Sequence, residues 1–395
     1  MPKSPGVPLL ITLTCIMGAG PLMTYGLSAT SPLIINDLGL GESQFGLLAT
    51  LTFFAAAAGS TWLGRLSDRI TGKAQLLIIF GGAAFGLALA GMTRSYIGLV
   101  AAVVVAGMAQ AITNPTSNRL IMSHVPPRDR ALWIGIKQSG VQGSQLFSGL
   151  FFAPAALLVG WHGAVGLAAA IALGLLLWAW NRVPEEPAIA PPAHGIPSPQ
   201  PAPAEPGRMP ATVWLYAAYA LLTGIGIQAT NVYLPLFAQR ELGFSLVAAG
   251  MTVAASGIIG VCSRVFLGRL AGPRSTMLLL LQALGAVLGA AVLLLSASLQ
   301  FSPALWIGVA LHGAMGLGVN VAIMAGVTQA VAPGRVGAAT GVVSLGMYLG
   351  FGLGPLGMGL LLEAFGSFFA GWLLVGTAYM VGAVLAAYRM LRRPR

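Results

Sequence analysis

The stretch Gly64-Arg65-Leu66-Ser67-Asp68-Arg69-Ile70-Thr71-Gly72-Lys73 separates two apolar runs, 44–64 and 74–93. Each run has about the 20 residues that a membrane-spanning helix requires. Three cations and one carboxylate between two such runs mark a loop on the cytoplasmic side of a bilayer. The stretch has an echo: Gly268-Arg269-Leu270-Ala271 follows another apolar run, at an offset of 204. Four further pairs keep nearly the same spacing and order: Pro32 with Pro235, Asn114 with Asn320, Gly135 with Gly341 and Gly140 with Gly346. The chain is therefore read as a tandem repeat of two halves, both inserted in the same sense.

Composition agrees. Of 395 residues 57% are hydrophobic and only 7% charged, with 54 glycines. Soluble domains carry about 25% charged residues, so a soluble enzyme, a disulfide scaffold and a disordered chain are all excluded. Charged and turn residues cut the chain into twelve segments, with each set of six ending near 180 and 388. The first set is 9–35, 44–64, 74–93, 96–122, 131–158 and 161–180; the second is 212–238, 244–268, 275–298, 303–331, 336–362 and 366–388. Between the sets, 181–210 holds ten prolines, which reads as an extended, solvated linker. The expected architecture is an all-α membrane protein. Its twelve transmembrane helices form two pseudo-symmetric six-helix bundles, 1–180 and 211–395, joined by a cytoplasmic Pro-rich linker.

The net charge of +11 is placed by topology. With the amino end inside, fifteen Lys and Arg fall on the inner side and only Arg94 and Arg240 on the outer. Both termini are thus expected in the cytoplasm, in contact with the bilayer, and nucleic acid is not an expected partner. The first apolar run is too long for a signal-peptide core and reads as a retained span. Cys15 and Cys262 lie in apolar runs and imply neither a disulfide framework nor a metal cluster. No cofactor is called for. An Ala/Gly/Leu-rich chain of this kind is expected in a bacterial inner membrane, as a monomer.

The ten-residue loop resembles the signature loop between spans 2 and 3 of the major facilitator superfamily. Its glycines, its Asp-Arg pair and its closing Lys73 carry the likeness, and the repeat extends it over the whole chain. The resemblance implies an alternating-access carrier with a midplane cavity. It also implies a latch of Gly64, Asp68, Arg69 and Lys73 that holds the inner gate shut in the outward-facing state. The second copy replaces the Asp-Arg pair by Gly272 and Pro273, so the latch is expected to be stronger in the amino half. The superfamily's antiporter signature on span 5 lacks its Gly-Pro step here, where Gly140-Val141-Gln142-Gly143 stands.

Cargo is read from the charges inside the membrane. Asp37, Glu42, Glu241 and Glu363 all fall near outer span ends, and none lies deep. Three cations do lie within spans: Arg119, Lys137 and Arg264. A charge at a helix centre costs about 2.5–3.5 kcal/mol on insertion scales, so these are candidate site residues. Arg264, followed by x-x-x-Gly, resembles the span-8 Arg of oxalate and monocarboxylate carriers, where it binds the substrate carboxylate. A guanidinium fork matches a carboxylate in a bidentate way. The family's Pro after the Arg is Val265 here, and span 11 has no cation. Lys137 begins a polar run with Gln138, Ser139, Gln142, Ser144 and Gln145. At 100° per residue Lys137, Ser144 and Gln145 share a face, which would line the cavity. Asn114 on span 4, Tyr25 on span 1, Gln228 and Asn231 on span 7 and Asn320 on span 10 complete the expected binding set. His312 is a candidate proton carrier.

The expectation is a secondary transporter of a small organic anion, a mono- or dicarboxylate, with protons or a counter-anion as possible coupling partners. The alternative is a proton-coupled exporter of neutral or cationic drug-like compounds, which would call for a buried carboxylate. No His-Glu-x-x-His, Gly-x-Ser-x-Gly or phosphate loop is present, so an enzyme is not expected.

Overall fold

The computed structural model describes residues 6–67, 69–126, 128–183, 209–270, 275–332 and 335–391. All regular structure among them is helical. Asp68 of the expected latch and residues 184–208 of the Pro-rich linker lie outside the described residues.

By length and composition nine of the described helices can cross a membrane, or ten if the bent pair Val7–Ala19 and Pro21–Ala29 is one span; in the numbering expected from the sequence, span 1 is broken twice. Val7–Ala19 and Pro21–Ala29 are bent by 58° at Gly20, and Ser31–Leu38 follows Thr30. Pro21 and Pro32 each sit in the first turn of a segment, where the missing N–H leaves no hydrogen bond unmade. Span 2 is Glu42–Ser67, span 3 is Gly72–Met92 and span 4 is Tyr96–His124, interrupted at Ile112. Spans 5 and 6 come from Arg130–Gln138 and Gly140–Trp180. The apolar stretch Leu132–Trp180 has 49 residues, more than twice what a bilayer crossing needs, and its helix breaks at Gly160 (φ 72°, ψ 166°). Spans 7 to 12 are Ala211–Leu242, Leu246–Leu270, Ser275–Ser298, Ser302–Ala330, Val336–Phe365 and Phe368–Leu391. Two π-helical segments, Leu77–Gly81 and His312–Gly316, interrupt spans 3 and 10.

The repeat seen in the sequence returns in the backbone. Among the described residues the glycines with positive φ are Gly39, Gly160, Gly243 and Gly366. They form two pairs: Gly39 and Gly243 end spans 1 and 7, and Gly160 and Gly366 break the chain after spans 5 and 11. The offsets are 204 and 206. A left-handed residue at these turns costs glycine little, and both halves use it at matching places.

The halves meet along spans 1, 2, 5, 7, 8 and 11, on the side away from the chain ends. The Ser28 hydroxyl donates to the carbonyls of Asn231 (2.8 Å) and Val232 (2.9 Å). Thr50 Oγ1 donates to the Gly352 carbonyl at 2.6 Å, and the Tyr233 hydroxyl to the Glu42 carbonyl at 2.6 Å. Arg240 pairs with Glu42 across the same seam. Small residues let the backbones approach this closely: a Cβ on Gly46 would overlap the Pro355 carbonyl, and one on Gly149 would overlap the backbone of Gly250 and Ala254. These contacts close the face away from the chain ends.

Candidate functional site

A cavity of about 110 Å³ lies between the halves. Spans 1, 2, 4 and 5 line it from one half, and spans 7, 8, 10 and 11 from the other. Its wall includes Tyr25, Asn114, Gln138, Gln228, Asn231, Arg264 and Asn320, which the sequence singled out. Lys137, Arg119 and His312 are not part of that wall.

The three intramembrane cations have different surroundings. Lys137 is fully buried inside the amino half. Its ammonium donates to Ser117 Oγ (2.6 Å), Asn118 Oδ1 (2.7 Å) and Asn114 Oδ1 (3.4 Å). An ammonium has three N–H donors, and three acceptors surround this one. Lys137 and Ser144 do share a face, but it turns into the amino half rather than to the cavity: Lys137 meets span 4, and Ser144 lies against Gly18 of span 1. The cavity receives Gln138, Val141 and Gln142 instead.

Arg119 also departs from expectation. Its Nη1 donates to the carbonyls of Ser67 (2.6 Å) and Ile70 (3.2 Å), at the end of span 2 and in the loop beyond. Gln75 Nε2 reaches the same two carbonyls at 2.6 and 3.1 Å. Cations at a helix carboxyl end satisfy orphan carbonyls and favour the helix dipole. Arg119 thus ties span 4 to the signature loop rather than facing cargo. Within that loop, Gly64 belongs to the span-2 helix, Arg69 is exposed and Lys73 Nζ lies 5.7 Å from the centre of the Trp180 ring.

Arg264 is the cation on the cavity wall. Its Nε donates to the Leu317 carbonyl and its Nη1 to the Gln138 carbonyl, both at 3.1 Å. A guanidinium has five N–H donors, so three remain for a guest. No Asp or Glu lines the cavity among the described residues. The two backbone bonds fix the fork, one from each half of the protein.

His312 sits behind the wall. Its Nε2 lies 2.9 Å from Asn231 Oδ1, which also accepts from Gln145 Nε2 at 3.1 Å. Asn231 Nδ2 donates to Gln228 Oε1 at 3.3 Å. The histidine holds a carboxamide that faces the cavity, and the π-helical segment it begins places it there. Such segments are frequent at functional sites.

Sequence reasoning missed part of the wall. Phe53, Tyr348 and Phe351 form an aromatic side, with ring centres 5.1 Å apart for Phe53 and Phe351 and 6.4 Å for Tyr348 and Phe351. Nothing separates such residues from lipid-facing aromatics in an apolar span. Gln110, Thr113 and Gln142 also line the cavity. Polar residues inside apolar runs carried that signal, but the runs do not say which helix face turns to the cavity.

A fold of two matched helical halves around one cavity defines a secondary carrier. The Major Facilitator Superfamily model matches residues 13–333, and the chain belongs to that superfamily. Its homologues and fold are those of transporters, not enzymes. The probable nitrate/nitrite transporter NarK2 of Mycobacterium tuberculosis is 27% identical over 340 residues, 82% of this chain and 81% of that protein. The hexuronate transporter of Bacillus subtilis is 26% identical over 269 residues, 62% of this chain and 58% of that one. Among solved structures, a bacterial homolog of the human lysosomal transporter Spinster, in an inward-facing and occupied conformation, superposes with a TM-score of 0.73. It has 19% identity and covers 97% of this chain and 95% of that one.

Proposed function

We propose that this carrier moves a small organic anion, with Arg264 binding its carboxylate. The observation that supports this most is the pairing of a fixed guanidinium, with three N–H groups to spare, and a wall that holds no carboxylate among the described residues. A buried cation without a counter-charge is costly. An anionic guest supplies the missing charge and accepts the remaining donors in a bidentate contact. The relatives point the same way, since two of them are named for the anions nitrate/nitrite and hexuronate. A drug exporter for cations would want the opposite charge on this wall.

In this reading both termini face the cytoplasm of a bacterial inner membrane, and the structure corresponds to the inward-facing state. The bundles 1–180 and 211–395 rock about the cavity. Closure of the inner side brings the signature loop into its latch, while the Ser28, Thr50 and Tyr233 contacts open. Asn114, Gln138, Tyr25, Gln228, Asn231 and Asn320 complete the binding set around Arg264, and Lys137 and Arg119 shape the amino half.

Counterflow in proteoliposomes tests the cargo. Carboxylates should exchange and neutral solutes of similar size should not. Arg264→Gln should lower carboxylate exchange by about 30-fold or more, the range expected when one partner of a buried charge contact is removed. Exchange confined to neutral solutes, and indifferent to Arg264→Gln, rejects the proposal.

A further inference from the structure

Polarity on the cavity wall is sorted by helix. The guanidinium of Arg264 and every carboxamide on the wall come from spans 4, 5, 7, 8 and 10. Spans 2 and 11 contribute only Phe53, Met347, Tyr348 and Phe351 among the described residues. Arg264 and the aromatic residues belong to different seams between the halves. Span 2 packs on span 11, where Thr50 donates to the Gly352 carbonyl. Span 8 packs on span 5, where Arg264 donates to the Gln138 carbonyl. The cavity thus has a cationic side and an aromatic side.

Each side limits the guest. The rings of Phe53 and Phe351 are inclined at 58° with centres 5.1 Å apart, and those of Tyr348 and Phe351 at 81° with centres 6.4 Å apart. Aromatic rings attract one another in such tilted and edge-to-face arrangements at roughly 4.5–7 Å, so a flat ring in the cavity extends the cluster. An anion there meets the reverse, because ring faces carry partial negative charge. Arg264 is the cation that lines the wall among the described residues, and Lys137 has its three donors taken within its own half. A second carboxylate on the guest would be buried against the rings with no counter-charge, which is costly. Nitrate would satisfy Arg264 and leave the aromatic side without a partner. The carboxamides can turn either oxygen or N–H groups to a guest, so they set no demand that separates one acid from another. The cavity, at about 110 Å³, is of the same order as the roughly 150 Å³ in which an apolar site takes up one benzene. That limits the guest to a single ring.

We infer that the carrier's substrate is a single-ring aromatic monocarboxylate, its carboxylate on Arg264 and its ring against Phe53, Tyr348 and Phe351. This rests on the anion reading above and narrows it to a substrate class.

The test is binding to the purified full chain, read by isothermal titration calorimetry at neutral pH. Benzoate is set against cyclohexanecarboxylate, acetate, nitrate, terephthalate and benzamide. Benzoate should bind about tenfold or more tighter than acetate and nitrate, because its ring adds buried apolar area that they lack. Cyclohexanecarboxylate, a saturated ring of the same carbon count, should bind about two- to tenfold more weakly than benzoate. Terephthalate, with its second carboxylate, should bind about tenfold or more weakly. Phe351→Leu keeps the wall apolar and should reduce the preference for benzoate over cyclohexanecarboxylate by about threefold. Acetate or nitrate binding as tightly as benzoate overturns the ring assignment and leaves the anion reading standing. Equal binding of cyclohexanecarboxylate overturns the aromatic part, equal binding of terephthalate the single charge, and an unchanged preference in Phe351→Leu the placement of the ring. Benzamide binding as tightly as benzoate overturns the anion reading itself. Failure of benzoate to bind contradicts the inference, and binding of acetate in that case keeps the anion reading. The wild-type panel decides the matter even where the variant fails to fold.

Discussion

Lys137 and Arg264 invite comparison, because both are cations sunk in spans and only one faces a cavity. Lys137 is the more deeply buried, yet its three donors meet three acceptors from span 4. Arg264 is less buried, and two backbone carbonyls leave it with unused donors. Depth in the membrane therefore does not identify the charge that meets cargo. What separates the two is whether the protein already satisfies the hydrogen bonds of the group. The first is part of how the amino half holds together; the second is arranged for something that comes and goes.

The comparison breaks most severely if the seam between the halves is not what opens and closes. Gly46 lies where a side chain would strike the Pro355 carbonyl and the Tyr233 hydroxyl. Gly46→Val should hold the outer side open and reduce uptake by about 100-fold, as expected when a bulky group is forced into a packed contact. Cysteine accessibility from the outer side should rise in the same variant. Unchanged uptake would mean that this contact is not remade in the transport cycle.

A moderate effect is expected at Lys137. Lys137→Met removes the donor that Asn114, Ser117 and Asn118 share, leaving buried acceptors unmet at about 1–3 kcal/mol. The melting temperature of the purified protein should fall by several degrees, while the KM for a transported carboxylate changes by less than about threefold. A large rise in KM with unaltered melting would reverse the roles assigned to the two cations.

The smallest effect is expected at Tyr233→Phe, which deletes one hydrogen bond across the closed face. Such a bond contributes about 0.5–1.5 kcal/mol, a shift of roughly two- to tenfold in the balance between the two states. Outer-side labelling rates should rise by that factor.

Much of the fold was legible in the sequence, because the membrane forces it: apolar runs, charged loops and the 204-residue echo leave few arrangements open. The cavity residues were partly legible for a related reason, since Arg264, Asn231 and Asn320 are polar in segments where polarity is expensive. Direction was not legible. Lys137 and Ser144 share a regular helical face, and nothing in the sequence says whether that face turns into the amino half or to the cavity. Arg119 meets carbonyls contributed by Ser67 and Ile70, a partner set that only the folded chain brings together. The aromatic side of Phe53, Tyr348 and Phe351 carries no mark that distinguishes it from residues facing lipid.

Ligand-induced stabilisation reads the central claim most directly. A ligand that binds the folded state raises its stability by about 2.7 kcal/mol at a hundred times its Kd. The purified carrier should melt at a higher temperature with benzoate and be unmoved by benzamide, which differs in lacking the carboxylate. In Arg264→Gln the benzoate shift should vanish. Stabilisation by benzamide equal to that by benzoate, or a benzoate shift that survives Arg264→Gln, would contradict the account.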